Sequence, residues 1–263
     1  MAKIFLSVPI LGRPDLKMMY SMYQAILSCK EHQVRVYFNQ NDSLISRVRN
    51  VHISSFYNDY PDYDYFMSLD SDLEIVNAYP NNNIFNRLIA ADKDFVGGLY
   101  AIKKPGVRRC SSITWDGKSP EFDSGLKEMR WLSSGCWCIK RSAVEKMVKA
   151  YPELTYDGDD NATGKKVYGL YIPFLYDLKE GDFPSIKLPF RKYLSEDWAA
   201  CERWKDIGGK IYADTGIVLK HVGEHEYTLW DVDVVRTKNN PSQQSTLSMP
   251  TAGFDLGFTE QKK

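Results

Sequence analysis

Tyr63-Asp64-Tyr65-Phe66-Met67-Ser68-Leu69-Asp70-Ser71-Asp72 is the stretch whose reading decides the fold. Its first seven residues, YDYFMSL, are a short run of strand composition, and two carboxylates follow at once. The acidic pair therefore stands at the C-terminal end of a predicted buried strand. On the N-terminal side, residues 3–9 (KIFLSVP) predict a first buried strand closed by Pro9 and Gly12. A helix is predicted from Pro14 to about Lys30, with Pro14 suited to its start. The alternation of Val34, Val36 and Phe38 predicts a second strand. Asp42 or Ser43 is placed to cap the next helix, on which Leu44, Val48, Val51 and Ser55 share one face. Arg47 and Asn50, three apart, share another. On the C-terminal side, residues 81–92 predict a helix and residues 94–100 (DFVGGLY) a strand. The first hundred residues thus alternate strand and helix, the pattern of an α/β layer around a mostly parallel sheet.

Farther along, residues 111–115 and 131–140 predict strands, and 141–150 a helix. Residues 151–191, rich in Gly, Pro and Asp, predict a long loop region of the kind that often carries binding function. A helix near 195–207 is followed by strands at 210–213 and 217–221. After Trp230 the chain turns polar and is broken by Pro and Gly. Residues 1–230 are therefore expected to form one domain, and 231–263 a C-terminal extension, partly disordered.

Bulk properties narrow the function classes. With 263 residues, 43% of them hydrophobic, the chain can bury a sizeable core. Lys+Arg and Asp+Glu balance at 34 each, which removes the basic excess expected of a nucleic-acid binder. A local cluster of Lys103, Lys104, Arg108 and Arg109 could still meet a phosphate backbone. Cys29, Cys110, Cys136, Cys138 and Cys201 include no CxxC pair and are odd in number, so buried free thiols in a reducing compartment are expected. The N-terminus lacks a signal-peptide pattern, and no apolar run approaches the roughly 18–20 residues of a membrane span. The expected location is the cytoplasm.

D-x-D spacing alone is weak, and this chain contains it five times: Asp62/Asp64, Asp70/Asp72, Asp92/Asp94, Asp157/Asp159 and Asp231/Asp233. Context separates them. Asp70 and Asp72 leave the C-terminal end of an apolar strand, where open α/β sheets bind ligands. Two carboxylates there are hard oxygen donors suited to Mg²⁺ or Mn²⁺; the competing reading is a solvated turn. Other features also have two readings. His221, closing a short apolar strand, is a metal ligand or a core histidine. Ser195-Glu196-Asp197 is a catalytic segment or a helix cap. Gly97-Gly98 admits a sugar or marks a bulge, and Ser133-Ser134-Gly135 borders an acceptor or turns a hairpin. Trp115, Trp131 and Trp137 stack on sugars or fill the core.

An ordered series weighs on these choices: KIFLSVP (3–9), SRVRN (46–50), FMSLDSDLEI (66–75), DFVGGLY (94–100), WLSSGCWCIKRSAVEKM (131–147), SEDWAACERWKDIGG (195–209) and KHVG (220–223). Together, over about residues 3–225, these resemble the GT-A glycosyltransferases, most closely small viral and bacterial members. The resemblance implies a single-domain GT-A (Rossmann-like) α/β fold with a mixed, mostly parallel central sheet flanked by helices. It implies metal-dependent transfer of a sugar from a nucleoside diphosphate sugar of the UDP or GDP type, in the host cytoplasm if the chain is viral. The acceptor hydroxyl would lie on a glycan, a protein glycan or a hydroxylated DNA base.

By the same resemblance Asp72 is a direct ligand of Mn²⁺ or Mg²⁺, and Asp70 touches the metal or the ribose, with Ser71 between them. His221 completes the coordination, with His225 as the fallback. Asp197, beside Glu196, is the base of an inverting reaction. Arg47 and Asn50 face the nucleotide, and Val8 and Pro9 lie beside its base. Gly98, Ser134 and Gly135 fall on the sugar and acceptor side. The chemistry suits these types: a divalent cation stabilises the departing diphosphate, and an acceptor hydroxyl needs a positioned carboxylate. A helix N-terminus is expected to keep Asp197 ionised. Two other classes compete. A nucleotidyltransferase would place a Gly-rich basic loop after the first strand, where this chain has LGRP (11–14). A non-catalytic sugar-nucleotide- or glycan-binding module would more readily have lost the acidic pair, Asp197 or His221.

Overall fold

The computed structural model describes residues 1–229 apart from 41, 77–82, 108, 119, 122, 124, 159–164, 181, 184–185 and 224–225. The expected C-terminal extension, His225 and Arg108 lie outside the described residues. In chain order the elements are β1 (Lys3–Ile10), α1 (Leu16–Ser28), β2 (Gln33–Gln40), α2 (Ile45–Asp59), β3 (Tyr65–Leu69), β4 (Leu73–Ile75), α3 (Ile84–Ala90), β5 (Phe95–Leu99), β6 (Leu126–Met129) and β7 (Cys136–Lys140). They continue with α4 (Arg141–Ala150), a 3-10 turn (Pro152–Leu154), β8 (Thr155–Asp157), β9 (Lys166–Tyr168), β10 (Phe174–Asp177), β11 (Arg191–Leu194), α5 (Glu196–Asp206), β12 (Ile211–His221) and β13 (Tyr227–Thr228).

The main sheet runs in the order β13-β12-β5-β7-β3-β1-β2, with β4 and β6 both pairing β12. β1 pairs β2 and β3 in parallel, and β12 pairs β5 in parallel. β7 is antiparallel to both β3 and β5. β1, β2, β3, β5 and β12 therefore point one way, with β7 reversed among them. This is a mixed, mostly parallel sheet flanked by helices, compatible with the expected GT-A-like α/β fold.

Period-2 alternation along the strands feeds two cores, one on each face. Phe5, Phe66, Phe95 and Ile139 turn to one side and pack with Ile53 and Phe56 of α2, Val144 and Met147 of α4, and Ala199, Ala200 and Trp204 of α5. Ile4, Leu6, Met67, Leu69, Val96, Cys138 and Leu219 turn to the other side, against Met18 and Met22 of α1 and Ile84, Phe85 and Leu88 of α3. Burying each of the Val, Leu, Ile, Phe and Met side chains among them contributes about 1.5–3 kcal/mol. All five cysteines are free and buried. No helix among the described residues is long and apolar enough to cross a membrane.

Several expectations change. The 111–115 strand is reduced to one bridge, Ile113 to Trp131. The predicted 131–140 strand begins only at Cys136, and β6 was not anticipated. The long loop of 151–191 contains three short strands and a 3-10 turn. The two strands predicted at 210–221 are one, β12, whose register against β5 shifts between Ala213 and Val218. On α2 the buried face is Val48, Arg49, His52, Ile53 and Phe56, not the Val48/Val51/Ser55 stripe. Asp42 does not cap α2 in the expected manner: its Oδ1 accepts from the Leu44 N–H at 2.9 Å, and Leu44 is the N-cap.

Candidate active site

Because five strands run one way, their C-terminal ends open on one edge of the sheet. Pro9 and Ile10 end β1, Asp70 follows β3, Tyr100 and Ala101 follow β5, and His221 closes β12. The reversed strand β7 starts at this same edge, so Ser134 and Gly135 meet them there. A cleft of about 330 Å³ lies at this edge, and Pro9, Leu11, Asp42, Arg49, Asp70, Asp72 and Glu196 are among its lining residues. Of the rival acidic pairs, Asp62 and Asp92 bind Lys3 and Lys140 at the opposite edge, and Asp157 binds Lys166. Asp159, Asp231 and Asp233 lie outside the described residues.

Asp70 and Asp72 both line the cleft but carry different partners. The Asp70 N–H donates to the Gly135 carbonyl at 2.8 Å, clamping the end of β3 to the start of β7. Asp70 Oδ1 accepts from Arg49 Nη2 at 2.8 Å. The same guanidinium donates to Ser68 Oγ at 3.1 Å and lies 3.6 Å from Glu196 Oε1. Arg49 is 4% exposed, so a buried cation ties the acidic pair to the first turn of α5.

Asp72 Oδ2 faces two groups, Lys103 Nζ at 2.6 Å and His221 Nε2 at 3.2 Å. Burial alone would raise the Asp72 carboxyl, but hydrogen bonds from His221 and Lys103 outweigh it and hold it at about 2. His221 Nδ1 lies 2.8 Å from the Ala101 carbonyl. A carbonyl can only accept, so Nδ1 carries the proton in that bond. With Nδ1 so engaged, Nε2 donates to the Asp72 carboxylate when the ring is protonated and turns a lone pair to it when the ring is neutral. Two such lone pairs at 3.2 Å call for a proton or a cation between them. A backbone carbonyl behind the imidazole is also the usual support of a metal-binding histidine.

The donor set therefore fits a hard divalent cation through Asp72 Oδ2 and His221 Nε2. Among the described residues no group of three or more His, Cys, Asp or Glu side chains is gathered to enclose one. Mg²⁺-like ions are commonly held by one or two carboxylates together with substrate phosphates and water, so two protein donors suffice.

Gly135 sits where a side chain would not fit: a Cβ there would come 2.5 Å from Tyr100 Oη and 2.8 Å from Asp70 Oδ2. Its N–H donates to Tyr100 Oη at 2.9 Å. Burial pushes the Tyr100 hydroxyl well above its ordinary value, with Asp70 and Asp197 adding to the effect, so it stays protonated. Ser134 is buried beside it.

Asp197, in the first turn of α5, departs from expectation. Burial, reinforced by Glu196, raises its carboxyl to about 6, although Ser195, the Trp198 N–H and Arg49 act the other way. Desolvation thus outweighs the helix N-terminus that was expected to keep it fully ionised. Ser195 Oγ donates to its Oδ1, and the Trp198 N–H does so at 2.7 Å. Glu196 itself lines the cleft.

Other residues singled out in the sequence stand as follows. Pro9 and Ser71 line the cleft, while Val8 is buried in the core between the sheet and α1. Arg47 is half-exposed and makes a two-bond pair with Asp42, at 2.7 and 2.9 Å. Asn50 is buried, and its Oδ1 accepts from the Tyr171 N–H at 2.8 Å, pinning the loop before β10 to α2. Gly98 abuts Ile217 and Leu219 of β12, a strand-packing position. Trp131 and Trp137 are fully buried, whereas Trp115 is 48% exposed. Sequence reasoning passed over Arg49 and Tyr100, and took Asp42 only as a candidate helix cap. Arg49 was detectable: an arginine four and seven places before Ile53 and Phe56 on an apolar helix face demands a buried counter-charge.

No protein-family model and no curated protein matches the chain. Among solved structures it is similar to A197 from STIV, with a TM-score of 0.51 and 16% identity over 88% of this chain and 95% of that one. It also matches a glycosyltransferase involved in the glycosylation of the major capsid of PBCV-1, with a TM-score of 0.33 and 14% identity over 57% of this chain and 67% of that one; a superposition this loose bears no argument. The likeness to A197 extends over nearly the whole of both chains and is a likeness of fold.

Proposed function

We propose that the protein is a glycosyltransferase that moves a sugar from a nucleoside diphosphate sugar to an acceptor hydroxyl, using a divalent cation. One observation carries the reading. Asp72, which lines a cleft with Asp70, Arg49 and Glu196, meets an imidazole already oriented by a backbone carbonyl. Asp72 and His221 would hold Mn²⁺ or Mg²⁺, which when bound supplies Lewis-acid stabilisation of the diphosphate leaving group. Arg49 keeps Asp70 in place and adds positive charge behind it. The nucleoside would lie between Pro9, Leu11 and Asp42, which line the cleft between β1 and α2.

Asp197 is the base in this scheme. It accepts the acceptor's proton as the hydroxyl oxygen bonds to the anomeric carbon. The bond from that carbon to the phosphate oxygen breaks, and its electron pair leaves with the diphosphate, inverting the centre. A carboxyl near 6 is better matched to a hydroxyl at neutral pH than an unperturbed one. UDP- and GDP-sugars are the donors to test. In a hydrolysis and transfer assay with Mn²⁺, Asp72→Asn is expected to lower kcat/KM by about 10²–10³ and to abolish Mn²⁺-dependent donor binding. Turnover undiminished in that variant would sink the proposal.

A further inference from the structure

Asp72 Oδ2 is the atom through which the proposed site would take its cation, and it already has one. Lys103 Nζ lies 2.6 Å away, on the same oxygen that faces His221 Nε2. A divalent ion of the Mg²⁺ type sits about 2.0–2.1 Å from its oxygen ligands, so ammonium and metal would crowd one oxygen with like charge.

The lysine is built to move. It is 39% exposed, has a flexible four-carbon stem and projects from a turn closed on itself. In that turn the Ile102 N–H donates to the Arg109 carbonyl at 2.8 Å, and the Val107 N–H to the Lys104 carbonyl at 3.2 Å. Gly106, with φ +73°, lets the chain reverse there. The residue before this turn, Ala101, is the one whose carbonyl orients His221. Arg49 differs: it is 4% exposed and engages Asp70, Ser68 and Glu196 together, so it has nowhere to swing.

We propose that Lys103 is a tethered counter-cation of Asp72: its ammonium holds the carboxylate in the free protein, yields the oxygen to the divalent cation, and then pairs with the diphosphate that arrives with it. No covalent bond is made or broken; one ion pair is exchanged for two. The exchange keeps a cation on this half-buried carboxylate whether or not the site is filled. It also makes cation and diphosphate bind better together than apart. This inference rests on the cation site described above.

The test measures Mn²⁺ affinity by electron paramagnetic resonance, alone and with inorganic pyrophosphate, in the full chain and its Lys103→Met, Lys103→Arg and Asp72→Asn variants. Lys103→Met keeps the length of the stem and removes its charge. It is expected to bind Mn²⁺ alone about tenfold more tightly than the parent, within the usual range of such couplings. It is also expected to lose about tenfold in pyrophosphate affinity at saturating Mn²⁺, while Lys103→Arg behaves as the parent in both. A lysine that merely braces the loop would not give effects of opposite sign. Unchanged or weaker Mn²⁺ affinity in Lys103→Met overturns the proposal, as does unchanged pyrophosphate affinity. If Asp72→Asn abolishes Mn²⁺ binding while Lys103→Met leaves it unaltered, the cation site stands and the role of Lys103 alone falls. If Asp72→Asn binds Mn²⁺ as the parent does, the site reading falls and the proposal with it.

Discussion

At the scale of single residues the site depends on close fits that leave no room for substitution. Gly135 is one. Its missing side chain lets Tyr100 Oη and Asp70 Oδ2 approach within 2.5 and 2.8 Å of where a Cβ would stand. Tyr100 follows a buried strand and Asp70 is held by Arg49, so neither can retreat freely. Gly135→Ala is expected to cost about 1–3 kcal/mol through overpacking and to reduce kcat/KM by about a hundredfold through displacement of Asp70. Circular dichroism should remain native; full activity would show that Asp70 does not need this position. Asp197 makes a second, independent prediction. With its carboxyl raised to about 6 by burial and Glu196, a base at this position is disabled below that pH. The kcat/KM profile is expected to climb about tenfold per pH unit up to a bend near 6 and then level. A bend near 4 would mean that another group takes the proton. Of these residues the sequence pointed to Gly135 and Asp197 through the ordered motifs. It could not show that Asp197 is desolvated, because that depends on what α5 packs against.

At the scale of elements, legibility followed whether an element's own pattern decided its boundaries. Helix α4 was legible to the residue, because Val144 and Met147 form a clean apolar stripe among charges. Strand β12 was not. Asp214, Thr215 and Gly216 interrupt its apolar run and suggest a turn, yet Asp214 is buried by a two-bond pair with Arg87 of α3, at 2.6 and 2.9 Å. A partner 127 positions away in the chain leaves no mark on local periodicity. The site followed the same rule: the acidic pair was visible from its strand, whereas Arg49 was passed over for Arg47 because the buried face of α2 was misjudged by about one position. The helix that carries Arg49 is itself held from outside. Arg141, the first residue of α4, donates to the Phe56 carbonyl at 3.1 Å, to the Tyr63 carbonyl at 2.5 Å and to the carbonyl of Tyr60. These include carbonyls that the C-terminal end of α2 cannot satisfy internally. Its guanidinium also lies 4.1 Å from the Phe56 ring centre. Arg141→Ala is expected to lower stability by about 2–4 kcal/mol, read as a drop in the denaturation midpoint at constant m-value. A loss below about 0.5 kcal/mol would show that α2 does not rely on this staple.

At the scale of the whole molecule, the fold brings Asp70, Asp72 and Glu196 into one cleft and sets Asp197 beside Glu196 in the first turn of α5, so stability and function meet in a few carboxylates. Asp72 and Asp197 are shifted in opposite directions and act in different pH ranges. Asp72 is held at about 2, below its ordinary 3.8, so its contribution is complete above about 4 and is lost only as the pH falls toward 2. Asp197 is raised from 3.8 to about 6, so the folded chain binds its proton more tightly than the unfolded chain does. Between about pH 4 and 6 the folded state therefore holds more protons, and stability must fall as the pH rises through that range, then stay level. About two pH units at roughly 1.4 kcal/mol each put the ceiling near 3 kcal/mol. Asparagine keeps an oxygen to accept from Ser195 and from the Trp198 N–H but carries no charge to desolvate. Asp197→Asn is thus expected to match the parent near pH 4 or below, to exceed it by about 1–3 kcal/mol at pH 7.5, and to be inactive as a transferase. In a protein of this size that is a rise in Tm of several degrees at pH 7.5 only. Such a gain, coupled to loss of turnover, is the trade expected where a charged group is buried for chemistry and not for stability. If Asp197→Asn keeps the parent's Tm at both pH values, the carboxyl is not held in a desolvated place, and the case for it as the base fails with it.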